Sequence, residues 1–379
     1  MDILINTQDF PPERGGIQTY ILELAKSLLK LGHTVRIICP GKKSDPNPIP
    51  ELKELIRFNI HSSWLFLPLM GYLPRYLKAN PSITHILHAQ WQGGIAELLI
   101  PNSKRKHKSY CLVLGRELLT SVLGPLAPWL RKKVFHKMTA AFPCSREILN
   151  LAATKAHEGF PFELLYPGVD TEQFYPFDTN ALKKKLGFEN NRIVFCIARM
   201  VARKNIRRII ESMPKVLESV PDAILLLGGS GPEKEDLEKC VADLNLKSKV
   251  HFLGRIPDAD MAAYYNMADI YVLPSFSTPK DIEGFGIVFL EAGACETPVI
   301  GSTSGGIPDA VEAEKSGLLV PPESTEKLQE AIVELLLTPE RSKEMGQYAR
   351  KRILQSFTWD HTGERFISLM NATHFPHQK

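Results

Sequence analysis

Short apolar segments alternate with amphipathic helical segments along both halves of the chain, and this alternation limits the possible folds more than any other feature. The first half opens with a predicted strand over residues 2–6, a helix over residues 18–31 and a strand over residues 35–39. The second half repeats this order without repeating the sequence, starting with a strand over residues 192–198 and a helix over residues 206–220. Such alternation is typical of parallel sheets covered by helices. The sequence therefore predicts an α/β protein with two doubly wound, Rossmann-like domains facing across a cleft.

Length and composition fit a globular protein with two separate cores. The chain has 379 residues, of which 44% are hydrophobic and 23% are charged. A formal net charge of +4 is too weak to indicate nucleic acid as a partner. The six cysteines show no CxxC or Cys/His spacing, so we expect buried thiols in a reducing cytoplasm. The first strand begins without a basic leader and no run of 18 apolar residues follows, which predicts a cytoplasmic protein without a membrane span.

The stretch Glu283–Glu291 joins two acids, two glycines and the start of an apolar helix. It follows a predicted strand over residues 270–273 and leads into a predicted helix over residues 287–295. Gly284 and Gly286 would let the backbone approach a ligand, and the free N–H groups of the helix start favour an anion such as a diphosphate. We interpret the stretch as a clamp for an anion and a sugar. Taken alone, it would also fit a surface helix with two solvated glutamates.

Two acids in one stretch could also indicate a glycoside hydrolase. If most of the interval from Glu283 to Glu291 is helical, its eight residues rise about 12 Å, which exceeds the roughly 5 to 9.5 Å between paired glycosidase carboxyl groups. The two glutamates are therefore predicted to contact two parts of one long ligand.

Two other segments place diphosphate-binding groups after predicted strands. Gly15 and Gly16 precede a helix, although such a pair is commonly only a turn, and neither a Walker loop nor a GxGxxG sequence surrounds it. Arg199 and Lys204 follow the first strand of the second domain. Fixed cations there would stabilise the charge that develops on a leaving diphosphate, whereas solvated cations at a helix start are the alternative.

The Asp258-Ala259-Asp260 sequence could suggest a metal site. It directly precedes a predicted helix over residues 261–267, so we interpret it as an N-cap and expect no metal. Residues 41–60, which are rich in proline and lysine, are predicted to be irregular.

Two clusters in the first half combine aromatic and basic side chains, one over residues 64–78 and one from Trp129 to Met138. Interfacial helices have this composition, which predicts peripheral contact with an anionic membrane surface. A core helix with a solvated basic face fits the same residues.

These segments together resemble the retaining glycosyltransferases of family 4, which have the two-domain GT-B fold. The resemblance covers nearly the whole chain. Within the family, residues 281–291 are most similar to the phosphatidylinositol mannosyltransferases that use GDP-mannose. The matching segments are Phe10–Gln18, Gly32–Val35, Pro167–Asp170, Ala198–Arg199 with Lys204, Gly229–Pro232, Phe252–Gly254, Glu283–Glu291 and Ser304–Asp309.

The resemblance implies an acceptor-binding domain over residues 1–168, a nucleotide-sugar-binding domain over residues 169–354 and a return helix over residues 355–379 that packs on the first domain. It also implies a metal-independent hexosyltransferase that needs no cofactor. The enzyme would move a hexose, expected to be mannose from GDP-mannose, to a lipid or saccharide acceptor with retained configuration. The expected location is the cytoplasm, and the two aromatic and basic clusters leave peripheral contact with the inner face of the membrane as one of two alternatives.

Transferred position by position, the resemblance implies that Arg199 and Lys204 hold the donor diphosphate and that Glu283 contacts the transferred sugar. These three residues would be catalytic. Glu291 would hold the ribose hydroxyls, and Ile256 would lie against the base. The remaining donor-binding groups implied by the resemblance are the backbones of Gly15, Gly16, Gly286, Ile287 and Val288.

One position departs from the family pattern in a way that bears on turnover. Many members carry a histidine where this chain has Leu114, and leucine can neither donate a hydrogen bond nor share a proton. Asn205 and Ala198 replace glycines that are usual beside the two cations. Turnover could depend on another group such as His88, or the chain could be a nucleotide-sugar-binding protein with little or no transfer. A nicotinamide-dependent dehydrogenase is a third reading, which the missing GxGxxG sequence disfavours.

Overall fold

A computed structural model describes residues 1–13 and 15–372. Arg14, which belongs to the predicted glycine segment, and residues 373–379, which end the predicted return helix, lie outside the described residues. The chain forms two compact units. One is Met1–Gly168 together with the segment that begins at Trp359, and the other is Val169–Thr358.

Each unit is built on a six-stranded parallel sheet. The strands of the first unit are β1 (Asp2–Asn6), β2 (Thr34–Pro40), β3 (Glu54–Phe58), β4 (His85–His88), β5 (Lys108–Val113) and β6 (Ala140–Pro143), in the order β3-β2-β1-β4-β5-β6. Those of the second unit are β7 (Arg192–Ile197), β8 (Ala223–Gly228), β9 (Val250–Gly254), β10 (Ile270–Val272), β11 (Val299–Ser302) and β12 (Gly317–Val320), in the order β12-β11-β10-β7-β8-β9. The order reverses between β1 and β4 and between β7 and β10. Ligands bind beyond the carboxyl ends of the strands at such reversals.

Helices connect the strands within each unit. The first unit contains α1 (Gly16–Lys30), α2 (Phe66–Ala79), α3 (Arg116–Leu119), α4 (Ala127–Phe135) and α5 (Arg146–Ala153). The second unit contains α6 (Asn180–Leu186), α7 (Ile206–Ser219), α8 (Lys234–Asp243), α9 (Met261–Met267), α10 (Ile287–Ala294), α11 (Ile307–Ala310), α12 (Thr325–Leu337) and α13 (Pro339–Ser356). The last helix, α14 (Trp359–Asn371), returns to the first unit.

The cores follow from the apolar patterns of these elements. Every residue of β8 is buried, as expected for a central parallel strand that is covered on both faces. Helix α7 buries one side only, because its apolar residues recur at intervals of three and four positions. That buried stripe consists of Ile206, Ile209, Ile210, Met213 and Val216.

The return of α14 to the first unit confirms this part of the predicted architecture. The rings of Tyr20 in α1 and Trp359 in α14 meet edge to face, with their centroids 5.6 Å apart. The Thr362 hydroxyl donates a hydrogen bond to the carbonyl of Tyr166. The second unit begins and ends at one place, since Val169 and Thr358 form a parallel bridge.

The prediction of an irregular segment over residues 41–60 was wrong in part. Residues 54–58 form β3, an edge strand that pairs with β2 in the register Arg36 to Glu54. Its sequence alternates imperfectly and its side chains are mostly half-buried, so the pairing with β2, rather than an apolar run, makes it a strand.

The two aromatic and basic clusters divide between core and solvent. In the first cluster, the buried members are Leu65, Phe66, Leu69, Leu73 and Tyr76. In the second, α4 buries Val134 and Phe135 and leaves Trp129 exposed. Each cluster therefore contributes one face to the core and presents another to solvent.

Candidate active site

Glu283 lies in the loop between β10 and α10, at the reversal of strand order in the second sheet, as predicted. Two glycines after β11 hold its backbone. The Gly306 N–H donates a hydrogen bond of 2.9 Å to the Glu283 carbonyl. Gly305 has a φ of +61°, and a Cβ there would come within 2.6 Å of the same oxygen. Only glycine fits position 305 without displacing Glu283.

The Glu283 carboxylate accepts hydrogen bonds from two cations. Its Oε2 atom lies 2.5 Å from Lys204 Nζ and 2.8 Å from Arg203 Nη1. Arg203 also donates through Nε to Asp281 Oδ2, at 2.9 Å. Burial alone would raise the pKa of Glu283, but Lys204 and Arg203 outweigh it and hold the pKa at about 2. Glu283 is therefore ionised throughout the neutral range.

The segment that carries both cations is fixed by Asn205. This residue ends the 3₁₀ turn Ala202–Lys204 with a φ of +57°. Its side-chain amide donates hydrogen bonds to the carbonyls of Pro274 and Pro322, at 3.1 and 2.8 Å. Asparagine tolerates left-handed backbone better than most residues with a side chain. Asn205 can thus stand where glycine is usual and also ties the Lys204 turn to two other loops.

The glycine turn after β8 supports the segment that carries Arg199. Gly229 has a φ of +103°, and a Cβ there would lie 2.1 Å from the Ala198 carbonyl oxygen. A Cβ at Gly231 would lie 2.3 Å from the carbonyl oxygen of Met200. This close backbone packing explains the two glycines.

Arg199 and Lys204 differ in their surroundings. Lys204 is engaged by Glu283, whereas the Arg199 side chain is exposed and makes no hydrogen bond or ion pair with residues 1–13 or 15–372. An exposed guanidinium without a carboxylate partner at a strand-order reversal is available to an anionic ligand.

Glu291 lies in α10 and has the opposite electrostatic character to Glu283. The buried Tyr265 hydroxyl donates a hydrogen bond of 2.8 Å to Glu291 Oε2. Burial raises the pKa of Glu291 to about 7, although this hydrogen bond partly opposes the shift. At neutral pH one acid of the stretch is ionised and the other is close to its midpoint.

The helical rise used above to exclude a hydrolase applies to only half of the interval. Helix α10 begins at Ile287, so the residues from Glu283 to Gly286 form a loop. The two acids nevertheless have separate partners, two cations for Glu283 and the hydroxyl of Tyr265 for Glu291.

The start of α10 has the predicted geometry. Gly286 adopts a φ of +92°, and the N–H groups of Ile287 and Val288 fall in the first turn, where helices lack internal acceptors. Ile256 follows β9 and is buried beside the end of β8, where a Cβ at Gly228 would lie 2.9 Å from its side chain.

The Asp258–Asp260 interpretation was correct in position and wrong in mechanism. Helix α9 begins at Met261, but the Asp260 side chain makes no capping hydrogen bond, and the two acids instead form a 3₁₀ turn. Among residues 1–13 and 15–372, no group of three or more His, Cys, Asp or Glu side chains is arranged to hold a metal.

The first unit places Gly15 and Gly16 at the start of α1, beyond the end of β1. Their contact with a donor stays a prediction. Sequence reasoning missed a polar group beside them. Asp9 accepts hydrogen bonds from Gln18 and Gln90, at 3.2 and 2.8 Å. Asp9 and Gln90 follow β1 and β4, the two strands that adjoin the reversal of the first sheet, so their position was the available signal.

Leu114 and His88 lie in different environments. The backbone N–H groups of Leu114 and Gly115 donate to Glu117 Oε1, so Glu117 stabilises the turn after β5. His88 is fully buried, with its ring nitrogens 3.2 Å from Asn6 Nδ2 and from Glu97 Oε1. The suggestion that His88 replaces the missing histidine was wrong, because both nitrogens are engaged in the core.

Family models match both halves of the chain. The model described as Glycosyltransferase Family 4 matches residues 14–173, and the one described as Glycosyl transferases group 1 matches residues 178–352. A GDP-mannose-dependent alpha-(1-6)-phosphatidylinositol monomannoside mannosyltransferase of Mycolicibacterium smegmatis is 30% identical over 380 residues, covering 98% of each protein. The chain belongs to glycosyltransferase family 4. This glycosyltransferase is also 30% identical over 383 residues to a GDP-mannose-dependent monoacylated alpha-(1-6)-phosphatidylinositol monomannoside mannosyltransferase of Corynebacterium glutamicum, covering 97% of each.

A solved structure supports the fold of this glycosyltransferase. Sucrose-phosphate synthase from Thermosynechococcus elongatus superimposes with a TM-score of 0.82 at 24% identity, covering 98% of both chains. At that identity the similarity shows the fold alone. It confirms the predicted GT-B architecture of two Rossmann-like halves.

Proposed function

We propose that this glycosyltransferase transfers mannose from GDP-mannose to a hydroxyl group of a lipid or saccharide acceptor, with retention of configuration. The observation that carries the proposal is the cluster of Lys204, Arg203 and Glu283 at the strand-order reversal of the second unit. Arg199 lies in the same segment after β7 as Lys204, and its exposed side chain makes no ion pair with residues 1–13 or 15–372. Similarity to two GDP-mannose-dependent enzymes supports the choice of donor.

The proposed roles follow the chemistry of each side chain. Arg199 and Lys204 bind the diphosphate, Glu283 accepts hydrogen bonds from sugar hydroxyls, and Glu291 accepts them from the ribose. Ile256 offers an apolar surface to the base. The backbone N–H groups of Gly286, which precedes α10, and of Ile287 and Val288 in its first turn suit the negative charge of the phosphates.

The reaction assigned to these groups balances without a further reactant. The acceptor oxygen forms a bond to the anomeric carbon on the face from which the diphosphate departs. The carbon–oxygen bond to the β-phosphate breaks, and that phosphate oxygen takes the acceptor's proton. Arg199 and Lys204 stabilise the charge on the leaving group, which is largest in the transition state.

The exposed parts of the two aromatic and basic clusters support peripheral membrane contact as part of the proposal. Trp64, just before α2, and Leu67, in its first turn, are 43% and 48% exposed, and Trp129 is 60% exposed in α4. Lys132 and Lys133 are exposed beside it. Aromatic rings at an interface and lysines at anionic headgroups are an ordinary pairing for reversible attachment. None of the helices described for residues 1–13 and 15–372 combines the length and hydrophobicity needed to cross a bilayer.

A donor panel tests the proposal. The full chain is incubated with GDP-mannose, UDP-glucose or UDP-N-acetylglucosamine, and nucleotide release is measured with and without a membrane-lipid extract as acceptor. We expect the fastest release from GDP-mannose and its loss in Lys204→Met. Lys215→Met, which changes an exposed lysine paired with Glu218, serves as the matched control. Preference for a UDP-sugar would contradict the mannose assignment.

A second candidate is a nucleotide-sugar-binding protein with little or no transfer. Leu114 favours it, because the position supplies no polar group and His88 is buried. GDP-mannose binding without nucleotide release, in the presence of acceptor, would support this alternative.

A further inference from the structure

Arg203 has no part in the roles proposed above, yet it makes more ionic contacts than either proposed diphosphate ligand. Its Nε and Nη1 atoms bind two different carboxylates, Asp281 and Glu283. Lys204 binds the same Glu283 oxygen. The two cations and two anions neutralise each other. All four side chains are at most about one-third exposed.

This arrangement creates a conflict for Lys204. An incoming diphosphate and Glu283 both require the same ammonium group. Lysine is a compact charge on a flexible stem with three donors and can redirect its hydrogen bonds, whereas the planar fork of arginine stays fixed when it holds two partners. Lys204 can therefore turn toward a phosphate while Arg203 remains in place.

We propose that Arg203, anchored by Asp281, is a positioning residue that holds the Glu283 carboxylate when Lys204 moves from Glu283 to the donor diphosphate. The inference rests on the proposed function, since it concerns the same donor site. It also means that Glu283 competes with the diphosphate for Lys204 before the donor binds.

Two backbone contacts fix the frame in which this exchange takes place. The Phe276 N–H donates a hydrogen bond of 2.8 Å to the Arg203 carbonyl, and Gly306 holds the Glu283 carbonyl. Asn205 anchors the turn directly after Lys204. The two loops are thus attached to each other through main-chain atoms. The Lys204 side chain can change partners without moving either loop.

Because Glu283 and the diphosphate compete for Lys204, removing the Glu283 charge should change GDP affinity and the rate of mannose transfer in opposite directions. In Glu283→Gln, the amide holds Lys204 less strongly, so GDP should bind roughly threefold to tenfold tighter, the effect of weakening one partly buried ion pair. Mannose transfer should fall steeply, because the sugar loses its carboxylate partner. In Arg203→Met, Glu283 depends on Lys204 alone, so GDP should bind more weakly and transfer should also fall.

A double variant separates positioning from direct phosphate binding. If Arg203 acts through Glu283, its removal has no further effect once the carboxylate is gone, so Arg203→Met with Glu283→Gln should bind GDP as tightly as Glu283→Gln. If Arg203 binds the phosphates itself, the double variant should bind GDP as weakly as Arg203→Met does. Arg203→Lys keeps the charge without the fork and should restore GDP affinity more than it restores kcat.

The experiment is isothermal calorimetry with GDP, alongside mannose transfer, for the full-length variants. Arg207→Met removes a neighbouring exposed arginine, and Glu218→Gln alters an exposed Glu–Lys pair, so both serve as matched controls. Asp281→Asn tests the anchor with a nearly isosteric change and should lower kcat with a smaller effect on GDP affinity.

Wild type that binds no GDP and transfers nothing would refute the proposed function itself. Wild type that is active, with Glu283→Gln binding GDP no more tightly, or a double variant as weak as Arg203→Met, would overturn this inference alone.

Discussion

Replacing Glu291 with glutamine should stabilise the protein in a pH-dependent way while damaging donor binding. The pKa of Glu291 is raised from an ordinary value of 4.5 to about 7. For a group with a raised pKa in the folded state, the stabilisation is complete below the unfolded value and is lost as the pH rises through the folded value. Wild type therefore loses stability between about pH 4.5 and pH 7 from this group.

The size of the effect follows from the pKa shift. A rise of the pKa from 4.5 to about 7 corresponds to about 3 kcal/mol between the two protonation states. Glutamine is uncharged at every pH and keeps an oxygen that can accept the Tyr265 hydroxyl hydrogen bond. Glu291→Gln should exceed wild type in free energy of unfolding by up to about 3 kcal/mol at pH 8.5 and by only about 1 kcal/mol at pH 5.

Urea denaturation followed by two probes can show that the change in stability belongs to the second unit, which contains Glu291. All four tryptophans, at positions 64, 91, 129 and 359, belong to the first unit, so their fluorescence reports mainly on that unit. Circular dichroism follows both units. We expect the variant to shift the circular dichroism midpoint at pH 8.5 by more than the fluorescence midpoint. Glu218→Gln, at an exposed position, is the control. A variant no more stable than wild type at pH 8.5, or equally stabilised at both pH values, would refute the reasoning.

Three further predictions concern activity and location. Arg199→Ala should lower kcat/KM by roughly 100-fold or more, because a fixed charge on the leaving group is lost, and an unchanged transfer rate would contradict its role. Leu114→His should raise the transfer rate if the missing imidazole limits turnover; a rate equal to or below that of wild type would show that it does not. Sedimentation with anionic liposomes should show salt-sensitive binding that weakens on charge reversal at Lys132 and Lys133. Reversal at Lys184 and Lys185 in α6 is the control, and a protein that stays in the supernatant at low salt would exclude membrane contact.

The sheets could be predicted where a strand is buried on both faces. Strand β8 is a continuous apolar run, and β1 has an apolar centre of three residues, as expected for strands that are covered on both faces. Strand β3 was missed because it lies at an edge and is only half-buried. Its conformation depends on pairing with β2, and pairing between strands leaves no periodic signal within one strand.

The positions of the site residues along the fold could be predicted, but the ion pairs and hydrogen bonds that they form could not. Glu283 and Lys204 were placed after the correct strands, because loops at the carboxyl ends of parallel strands follow from the order of elements. The link from Arg203 to Asp281 joins residues 78 positions apart, and Arg203 alone resembles any solvated cation. His88 was misjudged for a similar reason, since its burial between Asn6 and Glu97 is a property of the packed core.

The place where the second unit begins and ends has a consequence for how the chain folds. Lys30 and Asp360 form an ion pair across 330 positions of sequence, so the first unit is completed only after nearly the whole chain has been synthesised. The second unit is continuous and can fold as soon as it has been made. Its ends meet at the bridge between Val169 and Thr358, so its folding brings Gly168 and Trp359 close together. That approach removes most of the loop-closure entropy that docking of α14 on α1 would otherwise cost.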